Sequence, residues 1–128
     1  MNDEKLIEEA KKARDLAYAP YSKFKVGAAL LTKDGKIYKG ANVENSSYGL
    51  SMCAERVALF CAVSSGEKNF SKIAIVADSE QPITPCGACR QTLLEFNGNL
   101  EIICATTKGE IKKYKLKELL PKPFKLNR

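Results

Sequence analysis

Helix-like and strand-like segments alternate along almost the whole chain, and their order limits the folds open to it. Apolar residues recur at helical spacing in residues 3–17, and β-like runs at 26–32 and 36–42 flank Asp34-Gly35, a pair typical of hairpin turns. The remaining segments are predicted as a helix at 53–63, a strand at 72–78, a helix at 86–96, a strand at 100–106, a weaker strand ending near Leu116 and a short helix to Leu120. This order predicts an α/β fold with a mixed sheet of about five strands and helices on its faces.

The length and composition are typical of one folded domain. Of the 128 residues, 45% are hydrophobic and 28% charged, and no repeat or linker-like tract occurs, so we expect residues 1–128 to form a single domain. No apolar run approaches the roughly 18 residues that span a bilayer, and the first residues are charged, unlike a secretory signal. We therefore expect a cytoplasmic protein that does not associate with membranes. In that compartment its five cysteines are expected to bind metal, act in catalysis or pack in the core rather than form disulfides.

The sequence contains no histidine, which excludes several kinds of active site. Ser-His-Asp and Cys-His nucleophilic catalysis, histidine acid–base chemistry and histidine-ligated metal sites all require an imidazole. A proton shuttle near neutral pH must then be Glu, Asp, Lys, Tyr or Cys. A zinc site must be built mainly from thiolates.

The positive charge is concentrated at the C-terminal end. Residues 108–128 carry eight basic and two acidic side chains, which accounts for the whole net charge of +6. A basic segment of this kind can bind nucleic acid, but only two aromatic residues, Tyr114 and Phe124, lie among its lysines, too few for a series of stacking platforms. We interpret the segment as a solvated face and do not expect a nucleic-acid partner.

Cys86-Gly-Ala-Cys89 is a C-x-x-C motif at the start of a predicted helix. Its thiols are spaced to bind one metal ion, and the helix dipole favours their thiolate form. The same spacing occurs in thioredoxin-like redox dithiols and in helices whose cysteines have no chemical role. The motif by itself does not distinguish a metal site from a redox site.

Cys53-Ala-Glu55 places another thiol at the start of the other interior helix, with a carboxylate two residues later. Two helix N-termini that carry cysteines can converge on one ion, and three protein ligands leave the fourth zinc position for water. A carboxylate beside that water can take its proton and deliver it elsewhere. The two motifs together predict a catalytic zinc centre with Cys53, Cys86 and Cys89 as ligands and Glu55 as the catalytic proton shuttle.

The combination matches the signature of the zinc deaminases, including their three-cysteine variant. More closely, the chain resembles the small homotetrameric cytidine deaminases over nearly its whole length. The matching segments are Ala19-Pro-Tyr-Ser-Lys-Phe24, Val26-Gly-Ala-Ala29, Asn42-Val-Glu-Asn45, Cys53-Ala-Glu-Arg56, Pro85-Cys-Gly-Ala-Cys-Arg90 and Leu119-Leu-Pro121. The resemblance implies a three-layer α/β/α fold and one Zn²⁺ per chain. It also implies hydrolytic deamination of cytidine and 2′-deoxycytidine to the uridines with release of ammonia, in pyrimidine salvage.

The resemblance also implies a nucleoside-binding site. Asn42 and Glu44 match the family's ribose-binding pair, and a neutral amide beside a carboxylate suits the hydroxyl groups of a sugar. Phe24 matches the aromatic residue that packs on the pyrimidine, and the backbone at Ala54 matches the group that meets the polar edge of the base.

Other matches concern neighbouring subunits and charge. Tyr48 and Phe124 correspond to residues that reach another subunit's site, which implies a homotetramer with shared active sites. Arg56 corresponds to a residue that compensates the negative charge of the thiolates, and Arg90 is either a second such residue or a surface arginine. Cys61 and Cys104 are interpreted as small buried hydrophobic residues.

Two other functions remain open at the level of sequence. A deaminase acting on a cytosine-bearing antibiotic shares the metal motif, although Asn42 and Glu44 favour a ribose. A zinc module that binds nucleic acid without catalysis requires Cys61 or Cys104 as a fourth ligand.

Overall fold

In the computed structural model, which describes residues 1–126, helices and strands alternate in the order expected from the sequence. The elements are α1 (Asp3–Arg14), β1 (Val26–Thr32), β2 (Ile37–Ala41), a 3₁₀ turn (Tyr48–Leu50), α2 (Ala54–Ser64), β3 (Phe70–Ala77), α3 (Gly87–Leu94), β4 (Glu101–Thr106), β5 (Ile111–Lys115) and α4 (Leu116–Leu119). The strands form one sheet in the order β2-β1-β3-β4-β5. Strands β3 and β4 are parallel and the other neighbours are antiparallel, so the predicted mixed five-stranded sheet is confirmed.

Helices cover both faces of the sheet, because the inner strands carry buried apolar residues on both of their faces. In β1 all seven residues are buried, and successive side chains point to opposite faces. Ala29 and Leu31 pack with Leu6 and Ala10 of α1 on one face. The opposite face packs against α2 and α3, with Leu59 among the buried side chains. The three-layer α/β/α fold expected from the family resemblance is therefore confirmed.

Two glycines allow the helices to lie unusually close to the sheet. A Cβ atom at Gly27 of β1 would overlap the backbone of α1 at Arg14, and one at Gly40 of β2 would overlap the backbone of α2 at Ala58. Only glycine allows such an approach, since every other residue carries a Cβ. The contact at Gly40 fixes the first turns of α2 against the sheet.

Ion pairs attach the start of α1 to the central strand and to one edge strand of the sheet. The carboxylate of Asp3 lies 2.9 Å from Nζ of Lys72 in β3 and 2.5 Å from Nζ of Lys113 in β5. Hydrogen bonds from Lys113 and Lys72 lower the pKa of the Asp3 carboxyl. The helix is thus joined to two strands that lie far from it in sequence.

The first helix is shorter than the sequence predicts, since it ends at Arg14 and not at Ala17. The chain turns there and becomes extended, and Tyr18 forms a bridge with Val43, its N–H donating to the carbonyl of Asn42 at 2.9 Å. This long-range pairing competes with the last helical turn, and Pro20 also disfavours helix just before it.

None of the helices in residues 1–126 is long and apolar enough to cross a bilayer.

The prediction that Cys61 is buried is wrong. Its side chain is exposed, because the sheet-facing side of α2 is formed by Ala54, Glu55, Ala58, Leu59 and Ala62. The helical period therefore turns Cys61 away from the sheet. Cys104 is fully buried in β4, as predicted.

Candidate metal centre and active site

The starts of two helices bring three cysteines together. Cys53 and Cys86 are the residues immediately before α2 and α3, and both have extended backbones, with φ and ψ of −73° and 151° and of −66° and 167°. Cys89 lies in the first turn of α3. The Sγ atoms of Cys53 and Cys86 are 3.8 Å apart, those of Cys86 and Cys89 are 3.5 Å apart, and all three sulfurs lie within 4.8 Å of one another.

This sulfur triangle fits a zinc ion. Tetrahedral zinc with Zn–S bonds of about 2.3 Å places its thiolates about 3.8 Å apart, close to the separations observed here. Three ligands leave one zinc position for water, as in catalytic sites. In the part of the chain that the structure describes, Cys61 and Cys104 do not join this group, so it has no fourth cysteine.

Arg56 lies beside the sulfurs, as the sequence predicts. Its Nη2 donates to Sγ of Cys53 at 3.5 Å, and the thiol groups raise the pKa of the guanidinium. A hydrogen bond from Cys89 and the guanidinium of Arg56 lower the pKa of the Cys53 thiol to about 5. The positive ends of α2 and α3 point toward the same sulfurs and add to this stabilisation of thiolate charge.

Arg90 does not contact the sulfurs, and it is not a free surface residue either. Its guanidinium donates to the carbonyl oxygens of Pro85 at 2.7 Å and Leu119 at 2.8 Å, and to Oγ1 of Thr84 at 3.0 Å. The residue therefore holds the loop before Cys86 against the C-terminal part of the chain.

Glu55 is a buried carboxyl group next to the cysteine cluster. It occupies the second position of α2, and only 4% of its surface is exposed. Burial raises the pKa of this carboxyl to about 7, and the negative charge on Cys53 adds to the effect. A group with a pKa near neutrality can accept a proton in one step and donate it in the next. The geometry is thus suited to proton transfer beside a metal-bound reactant.

A cavity of about 460 Å³ opens in front of Glu55 and the cysteines. This volume is typical of sites for small organic ligands. Its lining includes the sequence-predicted residues Phe24, Asn42, Glu44, Tyr48, Cys53, Ala54, Glu55 and Cys86. Ala54 is the first residue of α2, where a backbone N–H has no acceptor within the helix and is available to a ligand.

Asn42 and Glu44 also brace the wall of the cavity. Asn42 accepts a hydrogen bond from N–H of Val26 at 2.8 Å and donates to the carbonyl of Phe24 at 2.9 Å. The Glu44 carboxylate accepts from the N–H groups of Tyr21 at 3.1 Å and Ser22 at 3.0 Å, and from the Ser22 hydroxyl. An amide and a carboxylate offer more hydrogen-bonding positions than these contacts use, so each residue retains capacity for a ligand.

Several cavity residues were missed by the sequence analysis. They are Ser22, Val26, Ser51, Met52, Ile83 and Thr84. Ser22 lies inside a motif already recognised, but its hydrogen bond to Glu44 spans 22 positions and has no local signal. Ile83 and Thr84 precede the Cys86 motif by two or three residues, and only the fold shows that they face the cavity.

The two residues predicted to reach another subunit differ in position. Tyr48 lines the mouth of the cavity, is 65% exposed, and packs edge-to-face against Tyr21 with ring centroids 6.2 Å apart. Phe124 is 70% exposed and does not line the cavity of its own chain. The structure thus brings together all the predicted substrate-binding residues except Phe124.

Comparison with known proteins agrees with this site. Residues 1–106 match the family described as the cytidine and deoxycytidylate deaminase zinc-binding region. The chain belongs to this family. It is 54% identical over 125 residues to a cytidine deaminase of Sporosarcina psychrophila, covering 97% of this chain and 92% of that protein. It is 50% identical over 125 residues to one from Halalkalibacterium halodurans, covering 97% and 95%.

The fold agrees with a solved structure of the family. The crystal structure of cytidine deaminase from Burkholderia pseudomallei superimposes with a TM-score of 0.95 at 50% identity, covering 97% of this chain and 100% of that one. A family zinc-binding region, together with a three-cysteine group able to hold one ion, identifies the protein as a zinc-dependent deaminase. The redox interpretation of Cys86-Gly-Ala-Cys89 is thereby excluded.

Proposed function

We propose that this protein hydrolyses cytidine and 2′-deoxycytidine to uridine and 2′-deoxyuridine with release of ammonia, in pyrimidine salvage. The observation that carries the proposal is the buried Glu55 carboxyl beside the three-cysteine centre, at the base of a nucleoside-sized cavity. The relatives that are cytidine deaminases over nearly their full length support the choice of substrate.

Glu55 is the proton carrier in the proposed reaction. Zinc held by Cys53, Cys86 and Cys89 supplies a Lewis acid that makes water more acidic and more nucleophilic near neutral pH. Glu55 takes a proton from the attacking water and delivers it to N3 of the base, as water adds at C4. It then carries the second proton to the departing amino group, so one carboxyl acts as base and acid in turn.

The other cavity residues orient the nucleoside. Phe24, which is 38% exposed, offers its ring to the pyrimidine, and the N–H of Ala54 faces the polar edge of the base. The spare hydrogen-bonding positions of Asn42 and Glu44 take the ribose hydroxyls. Arg56 offsets part of the negative charge that three thiolates bring to the centre.

The proposed assembly is a homotetramer in which subunits share active sites. Large apolar side chains are exposed on the chain, among them Leu16, Tyr18, Tyr48 and Leu50, and Tyr48 also lines the cavity. Exposed apolar residues of this number favour burial against other subunits. Phe124 is the residue proposed to enter a neighbouring subunit's cavity, since it has no place in its own.

The proposed location is the cytoplasm, and residues 1–128 are proposed to act as one deaminase domain. Thiolate ligands require reduced cysteines, which the cytoplasm maintains. All five cysteines are free thiols in the structure.

Ammonia release from cytidine tests the proposal. The zinc-loaded protein should convert cytidine and 2′-deoxycytidine to the uridines with one ammonia per product, and Glu55→Gln is the matched inactive control. Turnover of a cytosine-bearing antibiotic without turnover of cytidine would show that the protein is an antibiotic deaminase and not a cytidine deaminase. Absence of turnover on any cytosine compound at full zinc loading would contradict the proposed reaction.

A further inference from the structure

The side-chain amide of Gln91 makes two hydrogen bonds to a single residue of the C-terminal segment. Its Nε2 donates to the carbonyl oxygen of Phe124 at 3.0 Å, and its Oε1 accepts from the N–H of Phe124 at 3.1 Å. The amide thus pairs with both backbone groups of one residue, as a neighbouring β-strand does. Two such bonds fix the plane of the backbone at Phe124, and with it the direction in which the ring leaves the chain.

The residue whose backbone is held in this way leaves most of its side chain uncovered on its own subunit. Phe124 is 70% exposed, although its backbone is bound. The residue just before Gln91 holds the start of the same segment, because Arg90 donates to the carbonyl of Leu119. Pro121 and Pro123 stiffen the chain between these two attachments. The segment is therefore anchored at both ends, with an apolar side chain directed away from its own core.

We propose that Gln91 is a positioning residue that holds Phe124 for the active site of a neighbouring subunit. The inference rests on the proposed function, in which Phe124 completes that neighbouring site. Gln91 follows the zinc ligand Cys89 by two residues, yet its contribution is made to another subunit's site and not to its own.

Mixing variants distinguishes whether Gln91 contributes to the active site of its own subunit or to that of a neighbouring subunit. Glu55→Gln, Phe124→Ala and Gln91→Ala are prepared with two different affinity tags, refolded in pairs, and passed over both affinity columns, so that only mixed assemblies are assayed for cytidine deamination. Gln91→Ala alone should keep one zinc per chain and lose about tenfold in kcat/KM, the effect of losing hydrogen bonds worth about 1.4 kcal/mol. Thr92→Ala, which alters a neighbouring side chain bonded only within α3, is the matched control and should behave as wild type.

We expect deaminase activity to recover in some mixed assemblies and not in others. Glu55→Gln mixed with Phe124→Ala should exceed the average of the two parents, because some sites receive an intact residue from each chain. Glu55→Gln mixed with Gln91→Ala should recover in the same way. Gln91→Ala mixed with Phe124→Ala should not recover, since both variants lack the same contribution. Gln91→Glu retains the acceptor but loses the donor to Phe124, and it should give a smaller loss with the same pattern.

Each failure has a different meaning. Recovery with Phe124→Ala but not with Gln91→Ala would show that Gln91 acts in its own subunit, and would overturn the inference while leaving the shared site intact. The inference would also be overturned if Gln91→Ala lost its zinc, or if it kept the full activity of the wild type. No recovery in the Glu55→Gln and Phe124→Ala assemblies would contradict the shared site itself, and the inference with it.

Discussion

Cys53 and Cys86 occupy equivalent positions, each immediately before the first turn of a helix. A thiolate there faces the unpaired N–H groups and the positive end of the helix dipole, which compensates for the lack of neutral histidine ligands. The sequence predicted these ligands because the motif spacing is local. It could not show that the two helix starts face each other, since that depends on the packing of α2 and α3 on one face of the sheet.

Serine substitutions test the ligands one at a time. Replacing Cys53, Cys86 or Cys89 by serine removes a thiolate, so zinc affinity should fall by more than the roughly 10–100-fold that an outer-shell change costs. Metal analysis after dialysis measures the effect. Cys61→Ser and Cys104→Ser are the controls and should retain one zinc per chain. Full zinc retention in Cys53→Ser would contradict the three-ligand centre.

Sugar recognition by Glu44 and Asn42 gives a second prediction at the residue scale. Glu44→Gln and Asn42→Ala should each reduce kcat/KM for cytidine by roughly tenfold or more, because each removes a hydrogen bond to the sugar, with little effect on the slow hydrolysis of free cytosine. Steady-state kinetics on both substrates measure the difference.

Asn42→Ala also removes the brace to Val26 and Phe24, so Glu44→Gln is the cleaner variant. An equal loss on nucleoside and free base would mean that the two residues support the cavity wall and do not bind the sugar.

At the scale of elements, the docking of α1 depends partly on Asp3. The ion pairs with Lys72 and Lys113 lower its pKa in the folded protein, so their stabilisation is present above the pKa of the unfolded chain and is lost as the pH falls through the folded value. Asp3→Asn should lower the free energy of unfolding at pH 7 by about 0.5–1 kcal/mol, because the pair is partly screened by solvent. The difference should shrink below about pH 4.

Denaturant unfolding at one fixed protein concentration measures this difference. Glu8→Gln, which removes an exposed pair with Lys11 in the same helix, is the control and should change stability less. An Asp3→Asn effect that stays constant from pH 7 to about pH 3 would show that the contribution is not electrostatic.

The order and type of the elements could be predicted because their signals are local. Apolar β-runs predicted β1, β3 and β4, and Asp34-Gly35 marked the hairpin between β1 and β2. Errors and omissions arose where a distant partner decides the structure. The end of α1 depends on the pairing of Tyr18 with Val43, and the hydrogen bonds of Gln91 reach a residue 33 positions away. Neither contact leaves a trace in a short window of sequence.

At the scale of the whole molecule, the cavity of a single chain is open to solvent, and we propose that other subunits close it. Tyr48 at its mouth is largely exposed, and Phe124 lies outside it. A small domain that binds a nucleoside gains a closed pocket when other subunits supply the missing walls. The sequence indicated this arrangement only through the family resemblance, because no intrachain pattern states which surface another copy covers.

Zinc content and ammonia release from cytidine, measured on the same preparation of Glu55→Gln, test the proposed mechanism most directly. The substitution replaces the carboxyl by a group of the same shape that cannot carry a proton. We predict one zinc per chain, unchanged unfolding, and turnover reduced by at least roughly 10²–10⁴-fold relative to wild type. Turnover within about tenfold of wild type at full zinc occupancy would show that another group moves the protons, and would contradict the role of Glu55.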